Sequence, residues 1–263
     1  MTAWKKYLAI GDSFTEGIGD PDKRVPGGNR GWADRTAEVL SAQTADFGYA
    51  NLAIRGRLIR QILAEQIEPA IELQPDLVTL AGGGNDAIRP GSDPDEIAAL
   101  FEFATQRLCS TGATVVLFSG FDVGFAPVFR RIRGKVAIYN ENIHAIAERH
   151  GAVVANLWGL DELQDARLWT SDRLHLNPIG HQTVARMLLE LLGVDHPFAP
   201  AFPPPLEIKS WRQERGEDAV WAKEYLGPWI KRRLTGASSG DGITAKRPSF
   251  LPVPQLSEAD LGD

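Results

Sequence analysis

Short apolar runs alternate with longer amphipathic stretches over the first 195 residues, and this alternation constrains the fold more than any other feature. The apolar runs predict five strands, at 7–10, 46–52, 76–81, 114–119 and 152–157. Apolar residues spaced at helical intervals predict helices at 31–40, 58–73, 93–110, 131–150 and 179–192. The alternation predicts an α/β fold, a three-layer α/β/α sandwich with a mostly parallel five-stranded sheet.

The charge and composition of the 263 residues limit the classes of function. A formal net charge of −6 argues against nucleic acid as a partner. No apolar run has the length that spans a membrane and no signal peptide is recognised, so we expect a cytoplasmic protein. The single cysteine, Cys109, lies in an apolar helical pattern that is typical of an inert core thiol. The sequence carries no signal for the oligomeric state.

A change in composition after residue 195 divides the chain. We expect an α/β domain at 1–195, a proline-rich linker with a helical extension packing on it at 196–235, and a flexible tail at 236–263. The extension predicts a helix from Gly216 to Leu234, with an apolar side made of Trp221, Leu226, Trp229, Ile230 and Leu234. The basic cluster 231–233 leaves a membrane-surface or partner helix as the alternative. One short basic cluster is weak evidence, so packing onto the domain is favoured.

Ser13 is the candidate nucleophile of the chain. The apolar run before it ends at Gly11, so Ser13 lies just past a strand's carboxyl end, where open α/β sheets bind ligands. A serine needs a base to become a nucleophile. His175 lies in a polar loop before the last predicted helix. Asp172 precedes it by three residues, so one tight turn would bring its carboxylate to the imidazole N–H and keep the imidazole of His175 in one tautomer. Taken alone, His175 is better explained as a loop histidine with satisfied hydrogen bonds, and Asp172 as a helix cap.

Gly56 and Asn85 are candidate donors to an oxyanion. Gly56 follows the second predicted strand, where a backbone N–H without side-chain bulk can face a ligand. Asn85 follows the third strand, and its side-chain amide can donate as well. Ordinary turn chemistry explains either residue alone. Their combination with Ser13 and His175, at one edge of the predicted sheet, favours a site for nucleophilic catalysis.

Four short blocks resemble those of the SGNH hydrolase superfamily, the GDSL-type esterases and lipases. They are Gly11-Asp12-Ser13-Phe14, with phenylalanine in the usual leucine position, Asn51-x-Ala53-x-x-Gly56, Gly83-Gly84-Asn85-Asp86, and Asp172-x-x-His175. One block is a weak signal, whereas four in the family's order are a strong one. The resemblance covers residues 5–195 and leaves the segment after them outside.

The resemblance implies a role for each matching residue. Ser13 is the expected nucleophile, His175 the general base and then acid, and Asp172 its orienting partner. The expected oxyanion hole consists of the backbone N–H groups of Ser13 and Gly56 and the side-chain amide of Asn85. The acidic residues expected to support the site are Asp12 and Asp86. The implied reaction is hydrolysis of a carboxylic ester through an acyl-enzyme, without a cofactor or metal.

The substrate we expect is a small-molecule or carbohydrate-linked ester with a short acyl or acetyl group. The alternatives are a lipase or phospholipase acting on longer acyl chains, and a catalytically silent module of this fold that binds carbohydrate or acyl groups. A lipase would need a broad apolar surface near the cleft, and the loop 121–129 is a candidate acyl wall. Residues 11–19 lack the glycine pattern of dinucleotide-binding enzymes. A metal hydrolase would need a larger group of His and Asp ligands than His175, His181 and Asp172 provide.

Overall fold

A six-stranded sheet forms the centre of the computed structural model, which describes residues 4–200, 203, 205, 210–228 and 238–253. Its strands are β1 (Lys6–Gly11), β2 (Gly48–Asn51), β3 (Leu77–Ala81), β4 (Thr114–Phe118), β5 (Val153–Ala155) and β6 (Arg247–Leu251). They lie in the order β5-β4-β3-β1-β2-β6. Strands β1 to β5 are parallel, and β6 is antiparallel to β2.

Helices cover both faces of this sheet. Those of the described residues are α1 (Ser13–Glu16), α2 (Gly31–Gln43), α3 (Ile59–Glu72), α4 (Gly84–Ala87), α5 (Pro94–Cys109), α6 (Arg133–His150), α7 (Pro178–Leu191) and α8 (Trp211–Trp221). Helices α2 and α7 pack together on one face, and α3, α5 and α6 on the other. The predicted α/β fold is therefore confirmed.

The central strand β1 contributes to two separate apolar cores. Tyr7 and Ala9 belong to the core beneath α2 and α7, whereas Leu8 and Ile10 belong to the core beneath α3, α5 and α6. All four side chains are fully buried. Successive side chains of a strand point to opposite faces, so a strand covered on both sides is apolar throughout. This explains why the sequence signal of β1 is a continuous apolar run.

The sheet has one strand more than the five we predicted. The sixth, β6, lies within residues 236–263, for which the sequence predicts a flexible tail. Lys246, directly before β6, forms a 2.9 Å ion pair with Asp34 of α2, and the two side chains are 2% and 3% exposed. The same ammonium group donates to the carbonyls of Asn29 and Arg30 at 2.9 and 3.0 Å. These buried contacts anchor the strand, and no local pattern around Lys246 reveals such distant partners.

Helix α8 also departs from its predicted bounds. It begins at Trp211 rather than at Gly216, because Ser210 and Gln213 form a capping box at its N-terminus. Beyond Trp221 the chain continues as a π-helical turn, Ala222–Leu226. Of the predicted apolar side, Trp221 is buried. The residues that lie outside the described part of the chain are Trp229, Ile230, Leu234 and the basic cluster 231–233.

None of the helices described in the structure combines the length and the apolar character required to cross a membrane.

The side chain of Gln66, on α3, fixes the end of β1. Its Oε1 accepts the backbone N–H of Gly11 and its Nε2 donates to the Gly11 carbonyl, each at 2.9 Å. Gln66 is 1% exposed, so water does not compete for these bonds. A Cβ at Gly11 would lie 2.3 Å from the carbonyl oxygen of Ala81, which leaves no room for a side chain. The strand therefore ends at a fixed position two residues before Ser13.

We expect Gln66→Leu to lower the free energy of unfolding by about 1–3 kcal/mol, because the buried N–H of Gly11 would lose its partner. The Gly11 carbonyl would keep the N–H of Ile54, which lies 3.3 Å away. Urea unfolding of the variant and the wild type measures the difference. Gln61→Leu is a matched control on the same helix, since Gln61 accepts a single 3.0 Å bond from the Leu58 N–H. A loss in Gln66→Leu no larger than in this control would contradict the interpretation.

Candidate active site

Ser13 lies at the first position of α1, immediately beyond β1. Asp12 is the N-cap of this helix, and its Oδ1 accepts the Phe14 N–H at 3.1 Å. Strand β1 lies between β2 and β3, so the chain connections diverge on its two sides. Sheets of this kind bind ligands in the crevice at such a switch point, outside the carboxyl ends of the strands. Ser13 after β1 and Asn85 after β3 both line this crevice.

His175 lies within hydrogen-bond distance of both Ser13 and Asp172. Its Nε2 is 3.1 Å from Ser13 Oγ, and its Nδ1 is 2.6 Å from Asp172 Oδ2. The second carboxylate oxygen of Asp172 accepts the backbone N–H groups of Leu174 and His175 at 2.8 and 3.0 Å. The Thr170 hydroxyl donates to the same oxygen at 2.5 Å. The structure thus brings Ser13, His175 and Asp172 into one continuous row of hydrogen bonds.

The surroundings of Asp172 keep its carboxylate ionised. Burial acts to raise its pKa, but the hydrogen bonds and charge of His175, together with the Thr170 hydroxyl, outweigh burial and hold the pKa well below its ordinary value. An ionised carboxylate at Nδ1 fixes the imidazole tautomer and stabilises the positive charge when Nε2 takes a proton. The pair is therefore suited to general-base chemistry at Ser13.

The acid–base loop, residues 170–175, closes on itself as a tight turn. The Thr170 N–H donates to the His175 carbonyl at 2.8 Å, and the Arg173 N–H donates to the Thr170 carbonyl at 2.9 Å. Arg173 has a φ of 57°, a left-handed backbone conformation that is uncommon for a residue other than glycine. This turn is what brings the carboxylate of Asp172 to the imidazole of a residue one turn later.

Asn85, Asp12 and Asp86 link the loops that surround Ser13. The amide nitrogen of Asn85 lies 3.0 Å from Asp12 Oδ2 and 3.2 Å from the carbonyl oxygen of Arg57. Asp86 Oδ2 accepts the backbone N–H of Ile59 at 2.9 Å, at the start of α3. The loop after β3 is therefore tied to the loop after β1 and to the beginning of α3.

Gly56 lies beside this group but is covered by the C-terminal part of the chain. It has a left-handed φ of 74°. A Cβ at this position would lie 2.5 Å from Ser238 Oγ and 3.0 Å from Ser239 Oγ. Residues 238–239 therefore pack directly on Gly56, and it is not among the described residues that line the cavity at Ser13.

Glu16 is a residue of the site that the sequence analysis missed. It is 4% exposed, accepts the Arg55 backbone N–H at 2.6 Å and pairs with the Arg55 guanidinium. The contact ties the end of α1 to the loop that carries Gly56. Glu16 follows Ser13 by about one helical turn, yet its partner is distant in the sequence, so no local spacing signals the pair.

An apolar cavity of about 170 Å³ opens beside Ser13. Its aromatic walls are Phe14, Phe118, Phe121, Phe125, Phe129, Tyr139 and Trp169. Ser13, Asn85 and His175 are among the polar residues at its rim. The loop 121–129, predicted as a candidate acyl wall, contributes to the lining. Within the residues the structure describes, no group of three or more His, Cys, Asp or Glu side chains is arranged to hold a metal ion.

His181 has a structural environment on α7. Its Nδ1 accepts the Trp32 N–H at 3.2 Å, and its Nε2 donates to the Ile18 carbonyl at 3.1 Å. The ring is completely buried. Burial lowers the pKa of His181 to about 4, so the imidazole is neutral. It joins α7 to the start of α2 rather than facing Ser13.

The pKa of Asp12 is shifted in the opposite direction to the pKa of Asp172. Burial raises the pKa of Asp12 to about 6, and bonds from Phe14 and Asn85 and the charge of His175 limit the rise. The folded protein therefore binds the Asp12 proton more tightly than the unfolded chain, for which the pKa is 3.8. Stability from this group is complete at low pH and is lost as pH rises through the folded pKa.

We expect Asp12→Asn to gain stability relative to the wild type as pH rises from about 4 to about 7. The asparagine does not titrate, and the wild type loses about 3 kcal/mol over this range at 1.36 kcal/mol per pKa unit. Urea unfolding of both proteins across the range measures the difference. His181 titrates in the same range with the opposite sign, but both proteins contain it, so its effect cancels. A difference that stays constant with pH would refute the expected titration of Asp12.

The chain is similar in sequence to a known protein family and in fold to several solved structures. The sequence model of the GDSL-like Lipase/Acylhydrolase family matches residues 9–183. Among curated proteins, no sequence matches the chain.

Three solved structures illustrate the likeness in fold. An alpha/beta hydrolase enzyme from the metagenome of Lake Arreo, Spain, is 24% identical with a TM-score of 0.62, over 73% of this chain and 97% of that chain. An acetylxylan esterase from Geobacillus stearothermophilus is 22% identical with a TM-score of 0.60, over 73% and 95%. A psychrotrophic esterase from Pseudoalteromonas sp. is 17% identical with a TM-score of 0.58, over 72% and 97%.

At these identities the solved structures establish the fold of the chain, and the match to the family model establishes its family. That match runs from β1, just before Ser13, into α7, just after His175. It includes all four blocks on which the resemblance was based. The chain belongs to the GDSL-like lipase/acylhydrolase family of hydrolases.

Proposed function

We propose that the protein hydrolyses carboxylic esters through an acyl-enzyme formed on Ser13. The observation that carries this proposal is the row of hydrogen bonds from Ser13 through His175 to Asp172, at the mouth of an apolar cavity. A serine becomes a nucleophile when a base lies within hydrogen-bond distance and a third group orients that base. The esterases among the solved relatives support an ester as the substrate class.

In the first half of the proposed reaction, Ser13 Oγ attacks the ester carbonyl carbon while His175 Nε2 takes the hydroxyl proton. The tetrahedral intermediate collapses by breaking the bond to the alcohol oxygen, and His175 returns the proton to that leaving oxygen. Water then attacks the acyl group on Ser13 with His175 again as base, which releases the carboxylic acid. Asp172 stabilises the imidazolium in both halves.

The proposed oxyanion hole consists of the backbone N–H groups of Ser13 and Gly56 and the side-chain amide of Asn85. Ser13 is the first residue of α1, where a backbone N–H has no partner within the helix. The Asn85 amide donates to Asp12 and, over a longer distance, to the Arg57 carbonyl. The oxyanion would replace that second, weaker contact. Gly56 directly precedes Arg57, whose carbonyl the Asn85 amide contacts, although residues 238–239 pack on Gly56 and it does not line the cavity.

The cavity favours an apolar acyl group of about four to eight carbon atoms. A volume of about 170 Å³ is close to that of an engineered protein cavity, about 150 Å³, that binds benzene. An acetyl group would leave most of these aromatic walls without contact, and the part of a chain beyond about eight carbons would extend past them. The proposed substrate is therefore a small-molecule or carbohydrate-linked ester of a short to medium acid.

We expect kcat/KM on p-nitrophenyl esters to rise about 100-fold from acetate to hexanoate and to fall for chains beyond about eight carbons. The four added methylenes bury ~0.8 kcal/mol each, about 3 kcal/mol in total. Assays over graded chain lengths measure the profile. Ser13→Ala, checked by circular dichroism for native folding, should reduce hydrolysis to background. Hydrolysis that survives in Ser13→Ala would remove Ser13 from the reaction, and a maximum at long chains would favour a lipase.

We expect Asn85→Ala to lower kcat by about 100- to 1,000-fold with little change in KM, as is typical when one oxyanion donor is removed. Steady-state kinetics on the preferred ester measures both constants. Asn142→Ala is a control, because the Asn142 amide donates to Asp95 on the protein surface. If kcat in Asn85→Ala falls less than about tenfold below this control, Asn85 is not an oxyanion donor.

A further inference from the structure

Helix α8 and the turn after it contact three consecutive residues of the acid–base loop. The contacts are Tyr225 Oη to Ser171 Oγ at 3.0 Å, Trp221 Nε1 to the Asp172 carbonyl at 2.8 Å, and Asp218 to the Arg173 guanidinium at 2.7 Å. They lie at the tip of the loop, between its two hydrogen-bonded ends. The C-terminal extension is therefore in direct contact with the segment that carries both Asp172 and His175.

Trp221 makes the central contact of this group. Its indole is 8% exposed, and the Arg173 guanidinium lies over the ring, 5.0 Å from its centroid. Arg173 holds the left-handed backbone conformation of the loop, which costs free energy and persists only where the surroundings enforce it. One buried side chain thus bonds to the backbone of Asp172 and stacks on the next residue. It restrains the turn from outside the loop.

This restraint comes from a part of the chain that lies beyond the match to the family model. The family model ends at residue 183, and the solved structures cover 72–73% of this chain although they align over 95–97% of their own length. Trp221 lies well beyond the family match. The contact is therefore made by a segment that the family model does not include.

We propose that Trp221 is a positioning residue of the active site, which holds the acid–base loop so that Asp172 and His175 stay aligned with Ser13. The inference rests on the proposed ester hydrolysis. A displacement of about 1 Å in a catalytic constellation costs about 100-fold in turnover. Trp221 does not line the cavity, so its loss should lower kcat and leave the acyl-binding walls, and hence KM, unchanged.

Two variants of Trp221 separate its hydrogen bond from its ring. Trp221→Phe keeps a ring beneath Arg173 and removes the N–H, whereas Trp221→Ala removes both. Trp4→Phe is the matched control, because Trp4 is also 8% exposed and its indole N–H donates to Thr114 Oγ1 at 3.2 Å. Thr114 is the first residue of β4, at the opposite end of the sheet from Ser13. The readouts are kcat and KM on p-nitrophenyl hexanoate, with urea midpoints for folding.

We expect kcat to fall about tenfold in Trp221→Phe and about 100-fold in Trp221→Ala, with KM within about twofold of the wild type and kcat unchanged in Trp4→Phe. Values of kcat in the Trp221 variants within twofold of Trp4→Phe would overturn the inference. So would a rise in KM as large as the fall in kcat, since that indicates general loosening. Trp221→Phe keeps the test valid if Trp221→Ala does not fold.

The same assay distinguishes failure of this inference from failure of the proposed function. If the wild type shows no hydrolysis that depends on Ser13, the proposed function fails and the inference falls with it. If the wild type is active and the Trp221 variants match the control, the inference alone fails.

Discussion

The central place of β1, paired with β2 on one side and β3 on the other, is the constraint on which the rest of the site depends. Both faces of the strand are buried, and the side-chain amide of Gln66 hydrogen-bonds the N–H and the carbonyl of Gly11, the last residue of the strand. Ser13 therefore starts from a backbone position with little freedom to move. Catalytic groups need to be held within about 0.5 Å of their working geometry, and a strand end fixed on all sides provides this.

Three aspartates near Ser13 have different properties because their surroundings differ. Asp172 accepts bonds from a hydroxyl, two backbone N–H groups and an imidazole, and its pKa is lowered in spite of burial. Asp12, at 7% exposed, is more deeply buried than Asp172, whose side chain is 24% exposed, and it has fewer donors, so burial dominates and its pKa is raised. Asp86 accepts the first N–H of α3 and so links the loop after β3 to the start of α3. Position in the fold, rather than residue type, decides what each carboxyl group contributes.

Strands β1, β3 and β4 could be predicted because they are buried on both faces along nearly their whole length and therefore have mostly apolar sequences. Ser13, Gly56 and Asn85 could be selected because they follow strand ends, where polar residues and glycines interrupt apolar runs. His175 and Asp172 could be selected because they lie in a polar loop before the last predicted helix. Strand β6 could not be predicted, since its side chains are mostly exposed and its pairing partner is remote in the sequence. The contacts of Glu16 and Trp221 were missed for the same reason. A local pattern reports on burial and turns, but it does not identify a partner supplied by a distant segment.

The described residues after 195 contact the α/β domain at three places that matter to the site and the sheet. Trp221 lies on the acid–base loop, residues 238–239 lie on Gly56, and β6 completes the sheet beside β2. Without β6, the backbone N–H and carbonyl groups of β2 would be open to pairing with another chain. An open strand edge is a template for aggregation. The new outer strand includes Pro248, which has no N–H to offer, and β5 at the other edge has only three residues. Strand β6 therefore also reduces the tendency of these molecules to join edge to edge when they are concentrated.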